Sequence, residues 1–163
     1  LSCMEIVMAL VDEDSARVRF PPPLIVLGAL FLGLGVNGLA GLPQIEWAAL
    51  RPMGVVLGAI GAVIIASGIM GFLRAGNDPE PWKRDTALVT SGLYRFTRNP
   101  MYLGFVMVQL GIALYLQNIG GLLSVPLAVL LIDRFVIARE EPHLLATFGD
   151  EYRAYSKRVR RWI

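Results

Sequence analysis

Cysteine and histidine are almost missing from this 163-residue chain: Cys3 and His143 are the single example of each. One cysteine cannot close an internal disulfide, and one cysteine with one histidine falls short of the ligand set of a zinc site, so no metal is expected. Charge is scarce too, at 17% of residues against 55% hydrophobic, with a mean hydropathy of +0.58. That balance is too apolar for an ordinary soluble domain of this length and points to the membrane. The formal net charge is only +2. The basic residues gather at the edges of apolar runs, where they set topology and meet headgroups; nucleic-acid binding is not expected.

Residues 1–20 scatter Ile6, Val7, Leu10 and Val11 at helical spacing ahead of Asp12, Glu13 and Asp14. Without a basic leading region or a small-residue cleavage site, residues 1–23 are predicted as an interfacial segment, not a secretory signal. Leu24 to Leu42 and Met53 to Leu73 are then free of charge for 19 and 21 residues. Each is close to the roughly 20 residues that a helix needs to cross the hydrocarbon core. Both are rich in glycine, and Gly54 with Gly58 forms a GxxxG step that lets helix backbones approach, either between these two spans or against a second copy. Met101 to Asn118 and Gly121 to Ala138 make two further apolar segments, with Gly120-Gly121 expected to punctuate a tight helical hairpin.

Orientation follows from lysine and arginine near span ends. With the N-terminus, the connection 74–100 and the C-terminal segment in the cytoplasm, thirteen of the fifteen basic residues lie inside; Arg51 lies outside and Arg134 within a span. The fold class expected is therefore all-α, a polytopic membrane protein of about four transmembrane helices in the cytoplasmic membrane with both termini cytoplasmic.

The second half of the chain is chemically richer. Residues 74–100 form a long polar connection with Pro79, Pro81, Trp82 and Tyr94, and connections of that length usually carry function or disorder. Beyond the fourth segment, Gly149 is a plausible helix stop and Asp150 the next N-cap. Tyr152, Tyr155, Val159 and Trp162 then recur at helical spacing among five basic residues, predicting an amphipathic helix suited to a membrane surface.

Two charges, Asp133 and Arg134, sit inside the apolar fourth segment, where ionisable groups persist mainly if they pair or line a cavity. On a helix Asp133, Ile137, Glu140 and Glu141 share one broad face. Turned toward residues 95–104, that face would bring three carboxylates to Arg95, Arg98 and Tyr102; an interfacial salt bridge with snorkelling side chains accounts for the same residues. Asn99 suits an N-cap and Pro100 a first helical turn, so the N–H groups of that helix, with Arg95 and Arg98 beside them, suit an anion. An ordinary capped helix entering the membrane reads the same way. Glu140 and Glu141 supply what an ammonium, a ribose diol or a sulfonium needs, and the two ends together describe a site for a zwitterionic, ribose-bearing ligand.

YRFTRNPMYLG (Tyr94 to Gly104) and EEPHLLATFGDEYRAYSKRVRRW (Glu140 to Trp162), in this order around a hairpin, resemble the membrane-integral isoprenylcysteine carboxyl methyltransferase and phospholipid methyltransferase superfamily. The resemblance covers roughly residues 74–163. It implies an S-adenosylmethionine pocket in this half, capped by the C-terminal amphipathic helix beneath the cytoplasmic surface, above a two-helix scaffold at 24–73. It also implies a lipophilic or prenylated acceptor entering from the bilayer, with membrane lipids around it. Arg98, Asn99, Pro100, Tyr102 and Gly104 fall on its Arg-His-Pro-x-Tyr-x-Gly signature and Glu140 and Glu141 on its paired glutamates; Tyr94, Arg95 and Leu103 complete the implied cofactor set. Asn99 stands where carboxyl methyltransferases carry histidine, as in phospholipid methyltransferases. Glu140 or Asp133 is implied as the proton acceptor for an amine or thiol, and Arg134 as the holder of an acceptor carboxylate or lipid phosphate. The long FGDEYRAYSKRV segment favours carboxylate O-methylation, Asn99 favours phospholipid or amine N-methylation, and a non-catalytic lipid- or partner-binding membrane protein is the reading from another class.

Overall fold

The computed structural model describes residues 21–76 and 87–163, and all regular structure among them is helical. The predicted interfacial segment, apart from residues 21–23, and Pro79, Pro81, Trp82, Lys83 and Arg84 lie outside the described residues. Helix α1 is Pro22–Leu39 and α2 Leu50–Arg74; a 3-10 turn at Gly92–Arg95 precedes α3, Pro100–Tyr115. Helix α4, Ile119–Ile132, runs through a wide π-helical turn, Asp133–Ile137, into α5, Ala138–Arg158.

Three stretches are long and apolar enough to cross a membrane: α1, α2, and the continuous helix that starts with α4. The expected fourth span, α3, has 16 residues, a rise of about 24 Å, and falls short of the usual length. The chain is thus an all-helical integral membrane protein with three full-length apolar helices and a shorter fourth one.

Glycine decides which helices pair. A methyl group on Gly54 would lie 2.5 Å from the Gly111 carbonyl oxygen, and one on Gly61 2.8 Å from that of Gly104, so α2 and α3 touch backbone to backbone. Helix α1 meets α4 in the same way, where a methyl on Gly120 would collide with the Gly33 carbonyl. Helices α1 and α2 scarcely touch each other. Of the two packings expected for these spans, the one against each other is therefore corrected: Gly33 of α1 and Gly54 and Gly61 of α2 each meet a helix from the second half.

The hairpin glycines are corrected too. Gly120 and Gly121 belong to the first turn of α4, while the reversal is made by Leu116–Asn118, with Gln117 in left-handed backbone (φ 53°). The Asn118 carboxamide accepts from the Gly121 N–H at 2.7 Å and so caps α4. Close approach to α1, not the turn, is what requires glycine at 120.

Helices α1 to α4 alternate in direction. Val26 early in α1, Tyr102 early in α3, and Ile132, Val136 and Ile137 at the end of α4 share one core cluster. Residue 21, the segment 87–99 and α5 therefore lie at one end of the bundle, and the turns after α1 and α3 at the other.

Candidate active site

The site is assembled where the segment before α3 meets the strap after α5. Helix α5 breaks at Gly149 (φ 53°, ψ −123°), as the sequence suggested, and ends at Arg158; Val159 is extended. Residues 159–161 then run back across the start of α3. The Arg98 N–H donates to the Arg160 carbonyl at 3.0 Å, while Thr97 Oγ1 and Asn99 Nδ2 donate to the Arg161 carbonyl at 3.1 and 2.9 Å. Asn99 occupies the N-cap position but its side chain makes no cap bond. Its carboxamide is drawn to the strap instead.

Beside this junction the charges interlock. Glu141 accepts from Arg98 Nη2 at 3.0 Å and from Arg161 Nε and Nη2 at 3.0 and 2.5 Å. Arg161 Nη1 reaches both oxygens of Asp133, at 3.0 and 3.2 Å. Tyr102 donates its hydroxyl to Glu140 Oε1 at 2.5 Å. Three carboxylates, two arginines and a tyrosine do meet, but the second arginine is Arg161 in place of Arg95. The guanidinium of Arg161 is held further toward its charged form, first by the hydrogen bond to Glu141 and then by Asp133, against some burial.

Beside this cluster opens a cleft, with Arg98, Asn99, Glu140 and Glu141 as its polar lining. Its apolar lining comes from Phe72 of α2, from Leu88 and Val89, and from Leu144 and Phe148 of α5. The rings of Phe72 and Tyr94 lie 5.5 Å apart, tilted by 41°. The floor is tyrosine: Tyr155 donates to the Tyr94 carbonyl at 2.8 Å, and Tyr152 accepts from Arg98 Nη1 at 3.3 Å. Burial pushes the Tyr155 phenol up to about 12. Tyr152 is raised as well, first by burial and then by the Glu141 carboxylate, with Arg98 opposing. Both phenols stay protonated at physiological pH.

Of the residues singled out by sequence, Tyr94, Arg98, Asn99, Glu140 and Glu141 line the cleft. Tyr102 adjoins it through Glu140, while Pro100 and Gly104 are buried and shape the helix behind. Leu103 is half-buried on that helix, off the wall. Arg95 is exposed and off the wall, and so is Arg134. Neighbours on a helix point about 100° apart, so Asp133 turned toward Arg161 sends Arg134 away from the site. His143 lies beside the cleft residues with a buried Nε2 that has no partner among the described residues. Sequence reading assigned Tyr152, Tyr155, Val159 and Trp162 to a membrane surface. They instead turn inward, the first three clustering with Leu88, Leu144 and Phe148, and Trp162 packing on the α4 core. It missed Arg161, hidden in a run of five basic residues; the signal available was the set of carboxylates still lacking a cation.

These features define a helical membrane protein with a charged cleft at one end of its bundle. The profile of the phospholipid methyltransferase family matches residues 50–151. The chain belongs to that family of methyltransferase enzymes, and the match starts one helix earlier than the motifs themselves. An uncharacterized protein of Haemophilus influenzae is 46% identical over 63 residues, 39% of this chain and all of that one. The protein-S-isoprenylcysteine O-methyltransferase of Schizosaccharomyces pombe is 37% identical over 76 residues, 47% of this chain and 32% of that protein. Methanethiol S-methyltransferase 1 of Bradyrhizobium diazoefficiens is 47% identical over 68 residues, 41% of this chain and 22% of its own length. The chain thus spans a third or less of these two named relatives.

Proposed function

We propose that this protein transfers a methyl group from S-adenosylmethionine to a lipophilic acceptor, with isoprenylcysteine-carboxylate-like O-methylation as the leading reaction. The observation that carries this is the charge of the cleft. Arg98 and Arg161 interlock with Glu141 and Asp133, and Glu140, which accepts from the Tyr102 hydroxyl, lies beside them on the wall, so carboxylates and an arginine face the cleft together. A ligand with a sulfonium, an ammonium and a carboxylate carries complementary charges of both signs. The cleft fits it in other ways: Arg98 Nε is buried without a partner among the described residues, and the apolar wall suits a planar base.

On this reading Glu140 and Glu141 face the cationic and hydroxyl groups of the cofactor, and Arg98 its carboxylate. Phe72 and Phe148 exclude water from one side. The bound cofactor supplies an already reactive methyl group, so the residues contribute mainly orientation and water exclusion, which together account for up to about 7–11 kcal/mol. A carboxylate acceptor needs no base. An amine or thiol must lose a proton, and Glu140, on the cleft wall, is the group placed to accept it. Arg134 faces elsewhere and receives no step. Residues 74–163 then form the cofactor half over a scaffold at 24–73. On the positive-inside rule both termini and the connection 74–100 lie in the cytoplasm, with α3 as a short fourth span.

Phospholipid or amine N-methylation is the second reading, supported by Asn99 in the signature and by the family's description. Titration of the detergent-solubilised protein with S-adenosylmethionine and S-adenosylhomocysteine tests the donor. Micromolar binding that Glu140→Ala loses is expected, and no binding by folded wild type sinks the proposal. Labelled methyl transfer to a prenylated cysteine and to an aminophospholipid then separates the acceptors, since methyl esters are released by mild alkali and N-methyl groups are not.

A further inference from the structure

The strap after α5 has two separable roles in the geometry. Its main chain docks on the start of α3 through the carbonyls of residues 160 and 161, which a residue of any kind supplies. The Arg161 side chain reaches the other way, into the carboxylates. Its guanidinium spends Nε and Nη2 on Glu141 and Nη1 on Asp133, and it is the cation paired with Asp133 among the described residues. A lysine ammonium cannot reproduce that planar, two-carboxylate bridge.

We propose that Arg161 is a positioning residue for the methyl-transfer site: it bridges Glu141 to Asp133 and so fixes the Glu141 carboxylate against Arg98 on the wall that receives the cofactor. This rests on the methyltransferase reading above. The groups facing Glu141 are Arg98 from the segment before α3, Arg161 from the strap, and Tyr152 from the second half of α5. Asp133 of the wide turn joins them through Arg161, Glu140 is its neighbour on α5, and Tyr94 lies across the cleft. Removing Arg161 takes away the bridge to Asp133 and leaves Glu141 to Arg98, so the Glu141 carboxylate is no longer held in one place on the wall.

The test is calorimetric titration with S-adenosylmethionine on wild type, Arg161→Ala, Arg161→Lys and Asp133→Asn. Arg161→Ala is expected to weaken binding by about tenfold, with Arg161→Lys recovering part of the loss. Binding by folded Arg161→Ala that matches wild type overturns the positioning role. So does an equal loss in the Ala and Lys variants, which is the mark of a strap that only holds structure. If Arg161→Ala does not fold, Asp133→Asn carries the test: a loss of about threefold supports the bridge, and unchanged binding overturns it. Absence of binding by wild type sinks the methyltransferase reading itself, and the positioning role with it.

Discussion

The two ends of the bundle are built on opposite principles. At the turn end, neutral polar groups meet one to one: Asn37 accepts from the Gly120 N–H at 3.0 Å, Gln117 donates to the Trp47 carbonyl at 2.7 Å, and the Ile45 N–H donates to the Gln117 carbonyl at 3.0 Å. Helix α1 closes there in a Schellman turn, with the Leu42 N–H on the Asn37 carbonyl and Gly41 at φ 61°. At the cleft end the groups are charged, the helix is interrupted by a π turn and by Gly149, and Arg98 keeps a nitrogen without a partner among the described residues. Full satisfaction with small residues yields rigidity, and incomplete satisfaction with charge yields a place for a ligand.

That contrast predicts that substitutions at the turn end change stability and leave cofactor affinity per folded molecule alone, with the reverse at the cleft end. The largest effect is expected for Gly120→Ala, whose methyl would collide with the Gly33 carbonyl. Overpacking of about 3 kcal/mol should lower the melting temperature sharply in detergent. A change in cofactor affinity of the protein that remains folded would break the contrast. Next comes Glu140→Gln, expected to weaken S-adenosylmethionine binding about a hundredfold, or roughly 2.7 kcal/mol, with the melting temperature held; an equal fall in stability would make Glu140 a structural group.

Tyr155→Phe sharpens the comparison through pH. The folded phenol titrates near 12 against about 10 when unfolded, so the folded state keeps its proton longer. Its stability contribution is complete below about pH 10 and is lost as pH rises through the folded value. Phenylalanine should lose the bond to the Tyr94 carbonyl, about 1 kcal/mol at neutral pH, and flatten the alkaline limb of the melting curve; an unaltered limb removes Tyr155 as its source. Arg153→Ala should do least. It pairs with Asp150 at 2.5 Å, but the two side chains are 58% and 90% exposed, so a change within about 0.5 kcal/mol is expected.

The legible parts of this protein are those encoded over short distances. The apolar runs announced α1 and α2, the Asn-Pro step announced the start of α3, and Gly149 announced the break in α5. The paired glutamates and Tyr102 could be placed near one another because helical spacing puts Glu140 and Glu141 on one face. Arg161 could not, because it looks like the basic residues beside it until the strap folds back over some 20 residues of helix to meet Glu141. The turn toward Tyr152 and Tyr155 was equally hidden: an amphipathic face reads alike whether lipid or protein covers it.

By itself, the sequence determined that the chain is helical, lives in a membrane, and carries a methyltransferase motif pair, since hydrophobic run length and local spacing are properties of neighbouring residues. Only the tertiary structure decided which glycines face which helix and which arginine closes the carboxylate cluster. Those outcomes depend on backbones approaching within a few ångströms across helices distant in the chain, and no local pattern specifies that approach.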